Sequence, residues 1–315
     1  MLGKERHSSS MRLQSYPAHY ALLEAGIESH LTYVGDPDIW PELPRDINPE
    51  QELKGAQIVV IAKSIEGVAR QYALAAKKQG SILITQLGTN GIMLEFDNYQ
   101  PLDISDWIVA PFLNKRTSQR IKQLNPLLAH QPLIIPDPIE TWLPKTEDCT
   151  DNSQHIKTVL WIGRKRHLAS LKSLQKAIPD DWKLITISDT QETDYYWDPQ
   201  LAASLLASCQ ALTITNDYDP YDPRTGNSSP IRMLNGLACG KPVLAPPCDA
   251  YLATSPDQQG WIACLNGNDY HQALVKLSDP IVRQQYSQQG LAVFKAIQKT
   301  DPAAQWRQLI KELLI

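Results

Sequence analysis

The sequence predicts an α/β protein built from two parallel, doubly wound sheets. Three observations carry that prediction. Short β-branched runs alternate with helical patterns, which calls for parallel strands joined by helices. The alternation breaks once, at Asp137–Lys157, and then restarts. The length of 315 residues suits two domains.

The elements follow in order. Leu13–Ala25 spaces Leu13, Tyr16, Tyr20 and Leu23 as a helix, and Gly26 suits its end. Glu28–Val34 reads as a strand. Gln57–Ala62 (QIVVIA) is a strand buried on both faces. Glu66–Gln79 is a helix closed by Gly80, and Ser81–Gln86 and Trp107–Ala110 are strands. Lys115–Leu124 is a basic helix, and Pro132–Pro136 (PLIIP) a strand cut off by proline. Asp137–Lys157, with two prolines, five acidic residues and no apolar period, reads as a linker. Strands then recur at Thr158–Ile162, Lys183–Ile187, Ala211–Thr215, Pro242–Ala245 and Trp261–Cys264. Helices are expected at Leu168–Ala177, Pro199–Ser208, Ile231–Ala238, Tyr270–Leu277, Pro280–Ile297 and Pro302–Leu314. The halves are Rossmann-like, 1–140 and 141–315, and the last helix can return to the first half. Ligands of such sheets sit at the carboxyl ends of the strands, here also in the cleft between the halves. Met1–His7 is too short and too charged for an opening strand. Three readings stay open: a misassigned start codon, a first strand outside the given sequence, or a sheet that begins at Glu28–Val34.

Composition excludes some functions. No apolar run approaches the ~18 residues of a spanning helix. The start of the chain has no apolar signal core, so a cytoplasmic protein is expected. A net charge of -4 and a pI near 6.0 weigh against a nucleic-acid partner. The five cysteines include no C-x-x-C pair, so reduced, buried thiols are expected rather than a zinc or redox motif.

The informative stretch is Gly226–Val243, GNSSPIRMLNGLACGKPV. Asn227, Ser228 and Ser229 are N-cap types, Pro230 suits a first turn and Gly240 a helix end. The N-terminus of that helix can seat phosphate or ribose hydroxyls, and Arg232 can clamp a phosphate with two hydrogen bonds. A well-capped packing helix would read the same way. After the first strand of the second half comes Gly163-Arg164-Lys165-Arg166-His167, a glycine turn beside three cations. Such a loop suits charge developing on a leaving diphosphate, or is simply a solvated basic loop.

The stretch resembles the donor-site helix of GT-B glycosyltransferases related to family four, with the pattern S-P-x-K-L-x-E-x-x-A-x-G-K-P-V. Ser229, Pro230, Arg232, Ala238, Gly240, Lys241, Pro242 and Val243 match it. The resemblance covers the second half well and the first half in outline. It implies a GT-B fold and a hexosyltransferase with a nucleotide-sugar donor. The acceptor would be a hydroxyl of a glycan, lipid-linked or small molecule, with peripheral membrane contact left open. It implies no cofactor beyond the donor and no metal; Asp217-Tyr218-Asp219 reads as a turn. Gly163, Arg164 and Lys165 would meet the diphosphate. Ser229, Pro230, Ile231 and Arg232 would hold the donor at the helix start, and Asn235 its ribose. The family carries glutamates where this chain has Asn235 and Asn227. An amide still hydrogen-bonds a hydroxyl but brings no charge, which leaves room for a non-catalytic member. Donor bases lie near Ser188–Trp197, where Tyr195, Tyr196 or Trp197 can stack. In the first half the resemblance places Arg12, after three serines, and Asn90, near Gln86, by the acceptor. His19, in the middle of the first helix, reads as structural, with a general base in the cleft as the alternative.

Overall fold

The computed structural model describes residues 15–31, 48–62, 67–87, 101–113, 115–140, 142–149, 156–215 and 229–315. The chain divides into two compact units, Met1–Pro138 with Thr300–Ile315, and Ile139–Lys299.

In the first unit, α1 (Tyr16–Glu24) and the short α2 (Pro49–Glu52) precede β1 (Ile58–Ala62), α3 (Gly67–Lys78), β2 (Ile82–Gln86), β3 (Trp107–Ala110), α4 (Lys115–Leu124) and β4 (Leu133–Ile134). The strands lie side by side in chain order, all parallel. Alternate residues face opposite ways, so both faces need a cover. Val59, Ile61 and Leu83 meet Ala69, Tyr72 and Ala76 of α3. Ile84 and Val109 meet Leu22 of α1 and Trp306, Leu309 and Ile310 of the final helix, α11 (Pro302–Leu313). Gly26, at φ +73°, ends α1 with hydrogen bonds from its own N–H to Leu23 and from Ile27 to Leu22. The strand expected at Glu28–Val34 is not formed over residues 28–31. Ile27, just ahead of this stretch, packs on the core, while His30 and Glu28 pair with each other in solvent. Residues 32–34 lie outside the described ones. The PLIIP strand keeps only Leu133 and Ile134, since its flanking prolines cannot donate to a ladder.

Arg70 grips Asp103 with two hydrogen bonds of 2.7 Å. These bonds hold the Asp103 carboxyl below its usual range. The stabilisation is therefore present above the unfolded carboxyl's pKa, about 4, and lost as pH falls through the lower native value. Both side chains are half-exposed, so the pair contributes under about 1 kcal/mol. Asp103→Asn is expected to lower the urea midpoint at pH 7 and to have no effect near pH 2; an equal deficit at both would refute the assignment.

The second unit runs β5 (Lys157–Ile162), α5 (Leu168–Gln175), β6 (Trp182–Ser188), β7 (Tyr195–Tyr196), α6 (Pro199–Ser208), β8 (Ala211–Thr213), α7 (Ile231–Ala238), β9 (Val243–Ala245), α8 (Asp249–Thr254), β10 (Trp261–Ala263), α9 (Gly267–Lys276) and α10 (Pro280–Ile297). The parallel order is β10-β9-β8-β5-β6-β7. This is the doubly wound arrangement, with strand order reversing between β5 and β8. Val159, Trp161, Ala211 and Leu244 face α5 and α9. On the other face α7 lies so close that a Cβ on Gly236 would sit 2.6 Å from Val243 and 2.9 Å from Leu212. The pair β6–β7 is parallel although only the loop 189–194 separates the strands. Thr186 anchors that loop by donating N–H and Oγ1 to Asp194, each at 2.8 Å.

Candidate functional site

In a doubly wound sheet the ligand crevice opens at the carboxyl ends of the strands beside the order reversal. Here that point lies past Ile162 of β5 and Thr213 of β8. The structure brings several of the expected residues to it. Gly163 leaves β5 and donates its N–H to Ile187 at 3.2 Å. A side chain on it would collide with the Trp161 indole. The indole is fully buried and donates to Thr215 Oγ1 at 2.7 Å. The glycine at this turn is thus required by the tryptophan beneath it.

Arg164 and Lys165 are exposed. The Lys165 N–H donates to Asp189 Oδ1 at 2.7 Å, which ties the loop after β5 to the loop after β6. Its ammonium stands 3.4 Å from Glu192, both well solvated, so an incoming phosphate can compete for it.

α7 begins where the capping residues predicted. Ser229 Oγ accepts from Ile231 N–H at 3.2 Å, Pro230 precedes the first helical residue and Gly240, at φ +61°, follows the last turn. Every residue of α7 is buried except Arg232, which is half-buried. Arg232 Nη1 donates to the Ile162 carbonyl at 3.4 Å, joining the first turn of α7 to the end of β5. The same guanidinium lies near Cys248 and Tyr270. Burial pushes the Cys248 thiol up to about 11, and the Arg232 charge opposes that shift. Tyr270 donates its hydroxyl to Ile214 O at 2.8 Å, beside the end of β8.

Asn235 lies one turn beyond Arg232, on the same helix face. It is 6% exposed, and its buried Oδ1 has no hydrogen-bond partner among the described residues. An orphaned acceptor there costs about 1–3 kcal/mol unless a ligand satisfies it. Lys241 has a different job from its neighbours in the motif. It is buried, and its ammonium donates to the Ala207 carbonyl at 2.9 Å, closing the C-terminal end of α6.

The remaining expected residues fall elsewhere. Arg12, Asn90 and Asn227 lie outside the described residues, as do Asp217 and Asp219. Gln86 is buried at the end of β2. His19 hydrogen-bonds Ser29 at 2.9 Å, a local contact. Tyr195 and Tyr196 are exposed on the edge strand β7, while Trp197 packs edge-on against Trp142. Sequence reasoning missed Asp189, whose signal was faint: a lone acid directly after a strand. Among the described residues no cluster of three or more His, Cys, Asp or Glu is disposed to hold a metal, and no helix is long and apolar enough to cross a membrane.

No protein-family model and no curated protein sequence matches the chain. Solved structures do. HepE of Anabaena, in complex with UDP and glucose, superposes with a TM-score of 0.54 at 13% identity, over 94% of this chain and 88% of its own. A glycosyltransferase from Rickettsia africae gives 0.56 at 10% identity, over 93% and 86%. Sucrose-phosphate synthase from Thermosynechococcus elongatus gives 0.60 at 13% identity, over 91% and 82%. With two parallel α/β units and these neighbours, the chain has the GT-B glycosyltransferase fold.

Proposed function

We propose that the chain is a hexosyltransferase that moves a sugar from a nucleoside diphosphate sugar to a hydroxyl acceptor. The observation that carries the proposal is the charge at the start of α7. The helix dipole already places positive potential there, no acidic residue stands in the first turn, and Arg232 adds a half-buried cation at the same point. Like charges at one spot are unfavourable for the protein alone and favourable once an anion arrives. Arg164 and Lys165 extend that field across the end of β5. Together they suit a diphosphate whose charge grows as the sugar leaves, without calling on a metal or cofactor.

Asn235 is the ribose ligand in this reading. Its orphaned carbonyl accepts from a ribose hydroxyl, and its Nδ2 can donate to another. Gly163, Ser229, Pro230 and Ile231 shape the seat, and the resemblance assigns Asn227 to the sugar. Arg12 and Asn90 of the first unit serve the acceptor, a glycan, lipid-linked or small-molecule hydroxyl. HepE bound to UDP and glucose supports a uridine donor as the first one to try. Four cysteines are buried thiols and Cys149 is half-buried, which suits a reducing, cytoplasmic compartment.

A second reading has one observation in its favour: amides stand at both glutamate positions. A non-catalytic partner of an active transferase would bind the nucleotide without turning it over. Calorimetry with UDP, GDP, ADP and their sugars tests both. Binding with slow donor hydrolysis supports the enzyme, binding without hydrolysis the partner, and no binding at all refutes the site.

Asn235→Leu separates ligand binding from packing. Removing a buried, unsatisfied acceptor is expected to leave the unliganded chain as stable as before or up to about 1 kcal/mol more stable. Nucleotide affinity is expected to fall at least tenfold in the same variant. A variant that loses stability and keeps affinity would show Asn235 to be a packing residue.

A further inference from the structure

The segment Trp142–Cys149 closes over the C-terminal end of α7, the end away from the proposed donor. Thr146 Oγ1 donates to the Ala238 carbonyl at 3.0 Å. A 3-10 turn at Thr146–Asp148 then brings the Cys149 N–H back to Thr146 O at 3.1 Å. Two thiols meet at this turn. Cys239, which caps α7, directs its thiol to the Pro144 carbonyl at 4.0 Å, and Cys149 directs its own to the next carbonyl, Lys145, at 3.5 Å. The two thiols therefore sit on consecutive carbonyls of one turn, near enough to act on each other. Cys209 lies close by with its thiol on Leu206 O at 3.4 Å, and the Lys241 ammonium is near enough to act on both Cys209 and Cys239.

Accessibility ranks these thiols. Cys209 and Cys239 are buried, and Cys149 is half-buried. A soluble oxidant therefore reaches Cys149 first. Cys239 shares its turn, since the two thiols reach consecutive carbonyls, whereas the Cys209 thiol turns to Leu206 O.

We propose that Cys149 and Cys239 are a dithiol modification site, joined as a disulfide by a small-molecule disulfide oxidant. The Cys149 thiolate attacks one sulfur of the oxidant RSSR. The S–S bond of the oxidant breaks, RS⁻ leaves, and it takes up the proton that Cys149 lost. The Cys239 thiol gives up its proton beside the Lys241 ammonium and attacks Cys149 Sγ. The second RS⁻ leaves as RSH. Two protein thiols are oxidised and one small disulfide is reduced to two thiols. The neighbouring Cys149 thiol and burial hold the Cys239 thiol well above its usual range in the resting protein. Once Cys149 is in the mixed disulfide, that thiol contact is gone and the attack is intramolecular. The product fastens the segment ahead of β5 to the cap of α7, far from the end that holds Arg232.

Oxidised glutathione applied to the full chain, followed by alkylation and mass spectrometry, tests this. The expected result is a loss of two hydrogen atoms, a peptide pair linked through Cys149 and Cys239, and reversal by dithiothreitol. Cys149→Ser and Cys239→Ser are each expected to abolish the link, and Cys209→Ser to leave it unchanged. A stable glutathione adduct on Cys149, a link through Cys209, or no reaction in the wild-type chain would each overturn the proposal. The readout is independent of nucleotide binding, so the donor-site reading stands or falls separately.

Discussion

Gly260→Ala is expected to destabilise the second unit by about 3 kcal/mol. Gly260 has φ +80°, where an L side chain costs roughly 1–2 kcal/mol. A Cβ there would lie 2.6 Å from the Gly290 nitrogen and 3.0 Å from Leu237 Cδ2. The first contact is backbone of α10 and cannot rotate away, and overpacking of this kind adds about 1–3 kcal/mol. At roughly 2–4 °C per kcal/mol for a unit of this size, the melting temperature should drop by about 10 °C. Gly290→Ala is the control. Its Cβ would meet Leu237 Cδ2 at 2.9 Å, the end of a flexible side chain. Its loss should be clearly smaller, as read by urea unfolding of both variants. Equal losses would mean that strain at Gly260 is not the cause.

Arg232→Ala is expected to weaken binding of the nucleoside diphosphate by about 10–100-fold, the range of one or two charge-assisted hydrogen bonds. Stability should change little. Among the described contacts the variant loses a long bond to the Ile162 carbonyl and some stem packing, and it removes a cation from the positive end of a helix, which is worth about 0.3–1 kcal/mol in the opposite direction. Arg232→Lys keeps the charge and loses the planar fork, so its affinity should fall between the two. Calorimetry and chemical unfolding on the same preparations give both numbers. Parallel loss of affinity and stability would reduce α7 to a packing helix.

Much of this architecture could be read in the chain before folding. α7 was bounded by Ser229, Pro230 and Gly240, and α10 started at Pro280, because caps are local chemistry. The buried strands showed as unbroken apolar runs. Other features depend on contacts that no local pattern contains. β7 is two residues long and pairs with a strand just ahead of it, too short for a period to show. α2 and α8 are single turns or little more. Gly163 looked like a phosphate turn, yet its requirement comes from the Trp161 ring packed beneath it. Lys241 looked like part of a ligand motif and instead finishes α6. Asn235 was legible only as a departure from a resemblance; that its carbonyl is buried and unmet required the structure.

The burial of α7 bears on how such a protein can change over time. A helix enclosed on nearly every side tolerates few substitutions, since each new side chain must fit the sheet, α10 and its own neighbours at once. Arg232 is the one position whose side chain is not wholly committed to packing. For the proposed donor site, new preferences therefore have little room to arise within the helix. They are more accessible in the solvated loops after β5 and β6, where Lys165, Glu192 and Tyr195 can be exchanged without repacking the interior.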